Sequence, residues 1–333
     1  MRRGFRTEAP IPPGDVGGCD QHPAARAWAA LGASGRSPSR IEKLTAPGGR
    51  RTWKSSCYRL IGAVDSGGAV VAKNACTSRL LIERAIYLDI LPLLPITTLR
   101  CYGCVENDED GSCWLFLEDA GDLCYDDTRA PDRALAADWL AEMHTATSAL
   151  SLQSVLPDRG PHYYLEVLHE ARLKLLEASH DPRLGESRPL LTALGRHCDA
   201  LEAVWGDIEG LCGRLRKSLV HGDFTAKNVR VRGNGSSQVL CVMDWDVAGW
   251  GPPASDIAAL SLGRYRSRIT GRWPEIDLVT LREAGRVGRI FRLLLWVDAT
   301  STALASRSTE RALRKLEHYE HALAAERREL GCS

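Results

Sequence analysis

Two stretches of the chain concentrate residues able to do chemistry. SLVHGDFTAKNVRV, at 218–231, holds Asp223 and Asn228 five positions apart, and VLCVMDWDVAGWGPPASDIAAL, at 239–260, adds Asp244, Asp246 and Asp256. Between them, RGNGSSQ carries an Asn234-Gly235 pair, the short-range signal of a hairpin, so the chain is expected to double back and bring Asp244 beside the Asp223–Asn228 loop. An aspartate with an asparagine offers a few hard oxygen donors, which suits Mg²⁺, an ion that leaves its other positions to water and phosphate. The remaining aspartate can then accept the proton of a hydroxyl nucleophile. Lys73 ends the apolar run AVVAK, and Glu83 follows ten residues later in SRLLIERAIYLDIL. A lysine at the end of an apolar strand, followed by a helical glutamate, is more than a surface cation. Asp246 either assists the metal or caps a turn, and His144, among apolar helix neighbours, is expected to be a satisfied core histidine.

The elements that must position these groups fall into two regimes. CYRLIGAV (57–64) and AVVAK (69–73) flank a turn at Asp65, Ser66, Gly67 and Gly68, which predicts a hairpin; SRLLIERAIYLDIL (78–91) has Leu80, Glu83, Tyr87 and Ile90 at helical spacing before Pro92. TLRCYGCV (98–105) and CWLFLE (113–118) are further strands around the polar turn ENDEDGS. With a short strand near Ile41 to Leu44, the first third is β-β-β-α-β-β in order. Beyond Glu118 the pattern turns helical, with Leu135, Trp139 and Met143 on one stripe and Leu190, Leu194, Cys198, Leu201 and Trp205 on another, interrupted by the strand pair at 229–231 and 239–244. Residues 1–40 form an extension with one short helix, PAARAWAAL, ended by a glycine.

Composition excludes several classes. The 333 residues carry 43 Lys+Arg against 42 Asp+Glu, a net charge of +1, without the basic excess of a nucleic-acid binder. No apolar run approaches the ~20 residues of a membrane helix, and the basic start lacks the apolar stretch of a secretory signal, so a cytoplasmic protein is expected. The scattered cysteines are expected to be reduced packing thiols; Cys101 and Cys104 form the closest pair, with Cys113 and Cys124 the next partners of a zinc alternative.

HGDFTAKN (221–228), MDWD (243–246) and SDIA (255–258) together, in this order, resemble the aminoglycoside phosphotransferase and choline-kinase-like family, small-molecule relatives of the protein kinases. The resemblance spans residue 41 to the C-terminus and is clearest from 218 to 260. It implies an α+β, bilobal protein-kinase-like fold: a small β-rich nucleotide-binding N-lobe at 41–118 and a larger, mainly helical C-lobe at 119–333, with ATP between them. It implies that Asp223 is the catalytic aspartate, that Asn228 and Asp244 hold Mg²⁺, that His221 braces the loop, and that Asp256 is structural at a helix start. Lys73 would contact the ATP phosphates with Glu83 as its ion-pair partner, and the backbone near Leu117 and Asp119, in CWLFLEDAGD, would hold adenine. LAEMH, ending at His144, resembles a helix of the same family. The chain departs from the pattern at Thr225 and Lys227, where the family often has histidine and a small residue or proline, and APGGRRTWKSS (46–56) lacks GxGxxG. Lys227 is expected to reach solvent.

The expected activity is ATP- and Mg²⁺-dependent transfer of the γ-phosphate to a hydroxyl of a small molecule, an antibiotic of aminoglycoside or nucleoside type. The alternatives are a metabolic kinase of a sugar or amino alcohol and, outside enzymes, a nucleotide-binding pseudokinase module. The partner is the small-molecule substrate, with no nucleic acid and no membrane, and a monomer is the default. From Asp256 onward 13 Arg and one Lys stand against three Asp and seven Glu, which disfavours a polycationic acceptor.

Overall fold

Apolar strands that alternate with short polar turns build an antiparallel sheet, and this sheet organises the first third of the chain. The computed structural model describes residues 6–7, 19–32, 36–45, 55–65, 68–107, 110–233, 237–305 and 309–329. In chain order the first elements are β1 (Arg6–Thr7), α1 (Pro23–Ala30), β2 (Arg40–Thr45), β3 (Ser56–Ile61), β4 (Ala69–Cys76), α2 (Thr77–Ala85), β5 (Cys101–Asn107) and β6 (Ser112–Glu118). The six strands pair in the order β1-β2-β3-β4-β6-β5. After α2 the helix widens into a π turn at Ile86–Ile90 and tightens into a 3-10 turn at Leu91–Leu93 that takes in Pro92.

Helix α1 is a core element of this sheet. Pro23 opens it, the His22 ring accepts from the Ala24 amide at 3.1 Å, and Gly32 leaves it at φ +64°, a conformation that costs glycine little. Its apolar face puts Trp28, 2 % exposed, against Tyr102 and Phe116 and beside Leu60, Val70 and Ala72. Burial of a ring this size stabilises the sheet face by about 3 kcal/mol. The close cysteine pair flanks a bulge in β5, where Gly103, at φ +128°, faces Leu31 so closely that a Cβ would sit 2.9 Å from its methyl. Burial pushes the Cys101 thiol up to about 11 and the Cys113 thiol up to about 12, as for packing thiols.

The remaining elements are α3 (Ala130–Thr147), α4 (Pro161–His180), α5 (Arg188–Ala203), α6 (Trp205–Gly213), β7 (Ser218–Val220), β8 (Val229–Arg232), β9 (Val239–Val242), β10 (Gly249–Gly251), α7 (Ala254–Ile257), α8 (Leu262–Ile269), α9 (Leu278–Ser301) and α10 (Thr309–Glu329). β8 pairs with β9, and β7 with β10, each antiparallel. The turn residues Asn234 and Gly235, the turn residues Ser66 and Gly67, and residues 46–54 of the glycine-bearing segment lie outside the described residues.

Two compact units emerge: Met1–Leu135 with Thr225–Val247, and Ala136–Phe224 with Ala248–Ser333. The β8–β9 hairpin thus groups with the sheet. The cause is hydrogen bonding between β8 and the segment that leaves β6: Val231 N–H donates to Leu123 at 2.8 Å and Tyr125 N–H to Val229 at 3.4 Å. In the second unit, Tyr164 of α4 stacks on Phe291 of α9 at 3.9 Å, with Trp205 alongside. Helix α9 passes α7 at Gly288, where a Cβ would lie 1.9 Å from the Ala254 carbonyl oxygen.

Candidate active site

Within the first unit, Lys73 lies in register with Cys57 of β3 and Leu115 of β6, so its stem is buried in the sheet. Its Nζ donates to Glu83 Oε2 and to Asp244 Oδ1, both at 2.6 Å. Burial works against the ammonium, but the two carboxylates more than offset it and hold the Lys73 pKa well above the ordinary lysine value. Burial, with Asp244 nearby, pushes the Glu83 carboxyl up while Lys73 pulls it down. Tyr87 reaches from the π turn after α2 to the Val242 carbonyl at 3.5 Å, tying the helix that carries Glu83 to the strand that leads to Asp244.

Asp244 follows β9 by two residues and adopts φ +69°, the one described residue other than glycine in the left-handed region. Aspartate is one of the few residues other than glycine that adopts this region at modest cost. The hairpin places it as its sequence signal predicts: Met243 N–H donates to the Asn228 carbonyl at 2.9 Å, so the residue before Asp244 is bonded to Asn228 itself. Asn228 is buried and closes a turn through its own N–H to Thr225 at 2.9 Å; Lys227 is exposed and Asp246 half-buried. Among the described residues no group of three or more His, Cys, Asp or Glu side chains could hold a metal ion. Asn228 and Asp244 together supply one amide and one carboxylate oxygen donor set. That small, hard set fits Mg²⁺, which keeps waters and phosphate oxygens for its other positions.

Within the second unit, Asp223 follows β7 through Gly222, which sits at φ +78°. Its N–H donates to His221 Nδ1 at 3.3 Å, and Phe224 beside it packs on Trp139 of α3 and edge-on against His221. Asp256, at the start of α7, does not cap its own helix. One carboxylate oxygen accepts the His221 N–H at 2.7 Å and the other the Gly222 N–H at 2.9 Å. His144 of α3 completes the set, with Nε2 3.2 Å from Asp256 and Nδ1 2.8 Å from the Tyr265 hydroxyl. Burial alone would raise the Asp256 carboxyl, but the bond and charge of His144 and the amide of His221 bring it below the usual value. His144 is therefore a satisfied core histidine, and Asp256 shapes the two residues that precede Asp223.

A family model described as the phosphotransferase enzyme family matches residues 78–294, well over half of the chain, and spans these groups from Glu83 to Asp256. The chain belongs to this family. The phosphotransferase is an enzyme that phosphorylates a hydroxyl of a small molecule. It shares its fold with solved aminoglycoside phosphotransferases. It superposes on a mutant aminoglycoside 2'-phosphotransferase-IIIa in complex with GDP at a TM-score of 0.59, with 16 % identity over 86 % of this chain and 93 % of the other. For aminoglycoside phosphotransferase APH(4)-Ia the TM-score is 0.56, at 17 % identity over 86 % and 94 %. A thermostable mutant of the latter, in ternary complex with AMP-PNP and hygromycin B, gives 0.54 at 18 % identity over 86 % and 94 %. A comparison with curated proteins finds no match. The α+β bilobal assignment agrees with these neighbours and with the sheet-rich first part and helical remainder.

In the phosphotransferase, the segment after β6 is held by arginines that its sequence does not single out. Leu117 is buried in the β6 ladder between Val71 and Cys101. Asp119 donates its N–H to Ala69 at 3.3 Å, accepts Arg232 on its carbonyl at 2.8 Å and pairs its carboxylate with Arg59 at 2.7 Å. Arg59 also meets Asp122, and Arg232 meets Glu118, each at 2.7 Å. These arginines come from β3 and β8, distant in sequence from 118–122, and alternation within a strand carries no sign of such a pairing.

Proposed function

We infer that the protein is an ATP- and Mg²⁺-dependent O-phosphotransferase that modifies an antibiotic of aminoglycoside or nucleoside type. The observation that carries the nucleotide half of this reading is the buried Lys73 ammonium held between Glu83 and Asp244, a fixed cation suited to phosphate oxygens. In the reaction Asp223 accepts the proton of the acceptor hydroxyl and orients its oxygen toward the γ-phosphorus, while Lys73 offsets charge on the phosphates. Asn228 and Asp244 would hold the Mg²⁺, which when bound neutralises charge developing on the transferred phosphoryl group. His221, Gly222 and the Asp256 carboxylate keep Asp223 in place. The backbone near Leu117 and Asp119 is proposed to receive adenine.

The hygromycin B complex among the structural neighbours supports an antibiotic acceptor. Asp138 of α3 is paired with Arg264 and Arg268, and Glu142 with Arg272. Acids already matched by arginines are poor partners for a polycation. No helix among the described residues is long and apolar enough to cross a membrane.

The deciding experiment is consumption of ATP with Mg²⁺ across aminoglycosides, nucleoside antibiotics, sugars and amino alcohols, with D223A and D244A beside the wild type. D223A is expected to abolish stimulated turnover and to spare ATP binding, and D244A to damage both. Stimulation by a sugar or amino alcohol alone would replace the antibiotic reading with a metabolic kinase. Undiminished turnover in D223A would overturn the role given to that aspartate.

A further inference from the structure

Arg230 occupies a strand position where alternation points it outward, between Val229 and Val231, yet only 2 % of it is exposed. Its Nη1 donates to three main-chain carbonyls, those of Val229 at 2.9 Å, Lys227 at 3.1 Å and Ala226 at 3.4 Å. These are the carbonyls on either side of Asn228, in the turn that the Asn228 N–H closes on Thr225. The other edge of β8 is covered by residues 123–125 through the bonds of Val231 and Tyr125 and a bridge between Cys124 and Arg230. Desolvating a guanidinium costs several kcal/mol, whereas an apolar side chain would fill a buried strand position without that cost. The guanidinium, which also lies in the field of Asp122 and Asp119, bonds to the peptide groups around one residue, so its effect is expected at Asn228.

We propose that Arg230 is a positioning residue for metal binding, holding the 226–229 turn so that the Asn228 side chain is presented to the Mg²⁺ of the metal–nucleotide. This rests on the reading that Asn228 holds the metal. Loss of hydrogen bonds from a charged donor at such a turn corresponds to about a tenfold weakening of the contact it supports.

The test is ADP binding by calorimetry to the full chain, in EDTA and in saturating Mg²⁺, for wild type, N228A, R230M, R230Q and R230K. The inference expects N228A and R230M each to lose about tenfold of the Mg²⁺-dependent gain in affinity, with binding in EDTA within twofold of wild type. R230K, which keeps a cation able to donate to carbonyls, is expected to recover part of that gain. Should R230M fail to fold, judged by its circular dichroism melt, R230Q and R230K carry the comparison. A full Mg²⁺ gain in the Arg230 variants with a loss in N228A would overturn the inference and leave the metal reading standing. Equal weakening with and without metal would reduce Arg230 to a structural residue. A full gain in N228A would remove the metal reading and the inference with it.

Discussion

Replacing Asp256 with asparagine keeps the shape of the side chain and exchanges one carboxylate oxygen for an NH2 group. Both oxygens are in use: one accepts the His221 N–H at 2.7 Å and lies 3.2 Å from His144, and the other accepts the Gly222 N–H at 2.9 Å, in a fully buried site. Whichever way the amide turns, one buried backbone donor faces another donor. An unsatisfied buried donor costs roughly 1–3 kcal/mol, and the surviving bond loses its charge-assisted part, so D256N is expected to destabilise by about 2–4 kcal/mol. That is a large share of the roughly 5–15 kcal/mol that holds a folded protein together. Urea unfolding would measure it, with amide exchange at His221 and Gly222 reporting the loop itself.

The pH dependence has a defined sign. The Asp256 carboxyl is depressed in the folded state, so its contribution is complete above the ordinary carboxylate value near pH 4 and is lost as pH falls through the lower folded value. The stability gap between wild type and D256N is expected to close as the pH falls below about 4. A gap below about 0.5 kcal/mol at pH 7 with unchanged Gly222 exchange would refute the reasoning, as would a gap that widens in acid.

Two further outcomes follow from close packing and burial. In G288A the new methyl would meet the Ala254 carbonyl at 1.9 Å, so the gain in helix propensity is outweighed and the melting temperature is expected to fall by the equivalent of about 1–3 kcal/mol; a rise would refute the close approach of α7 and α9. Burial pushes the Cys57 thiol up to about 11 and those of Cys198 and Cys212 up to about 12, whereas the Ser78 hydroxyl lowers the pKa of the exposed Cys76. Iodoacetamide at pH 8 with peptide mapping is expected to label Cys76 ahead of the half-buried Cys57 and the buried Cys198 and Cys212, because only thiolate reacts.

Much of the site was legible because its pieces are local. Asp223 and Asn228 share one short loop, a hairpin signal returns Asp244 toward Asn228, and Lys73 precedes Glu83 by a strand end and two helical turns. The β-β-β-α-β-β order of the first third rests on short-range alternation and turn chemistry, and it matches β2 to β6 with α2 among them. Helix α1 was visible as a helix, but its place against the sheet was not, since Trp28 meets Phe116 across 88 residues of chain.

Other parts were decided by tertiary structure alone. The contact of Lys73 with Asp244 joins groups 171 residues apart, and its consequence, an ammonium shared by two carboxylates, has no local trace. Asp256 could be seen at a helix start but not as the acceptor of two amides from the loop before Asp223, because that requires α7, β7 and α3 to converge. The burial of Arg230 runs against strand alternation, which describes two faces of a sheet and not a third segment laid along its edge. Sequence alone thus determined which residue types stand at which spacing, and with them the secondary structure and the chemistry on offer. Which charges meet, which are buried and which peptide groups they hold depended on long-range packing, whose partners are set by shape and not by separation along the chain.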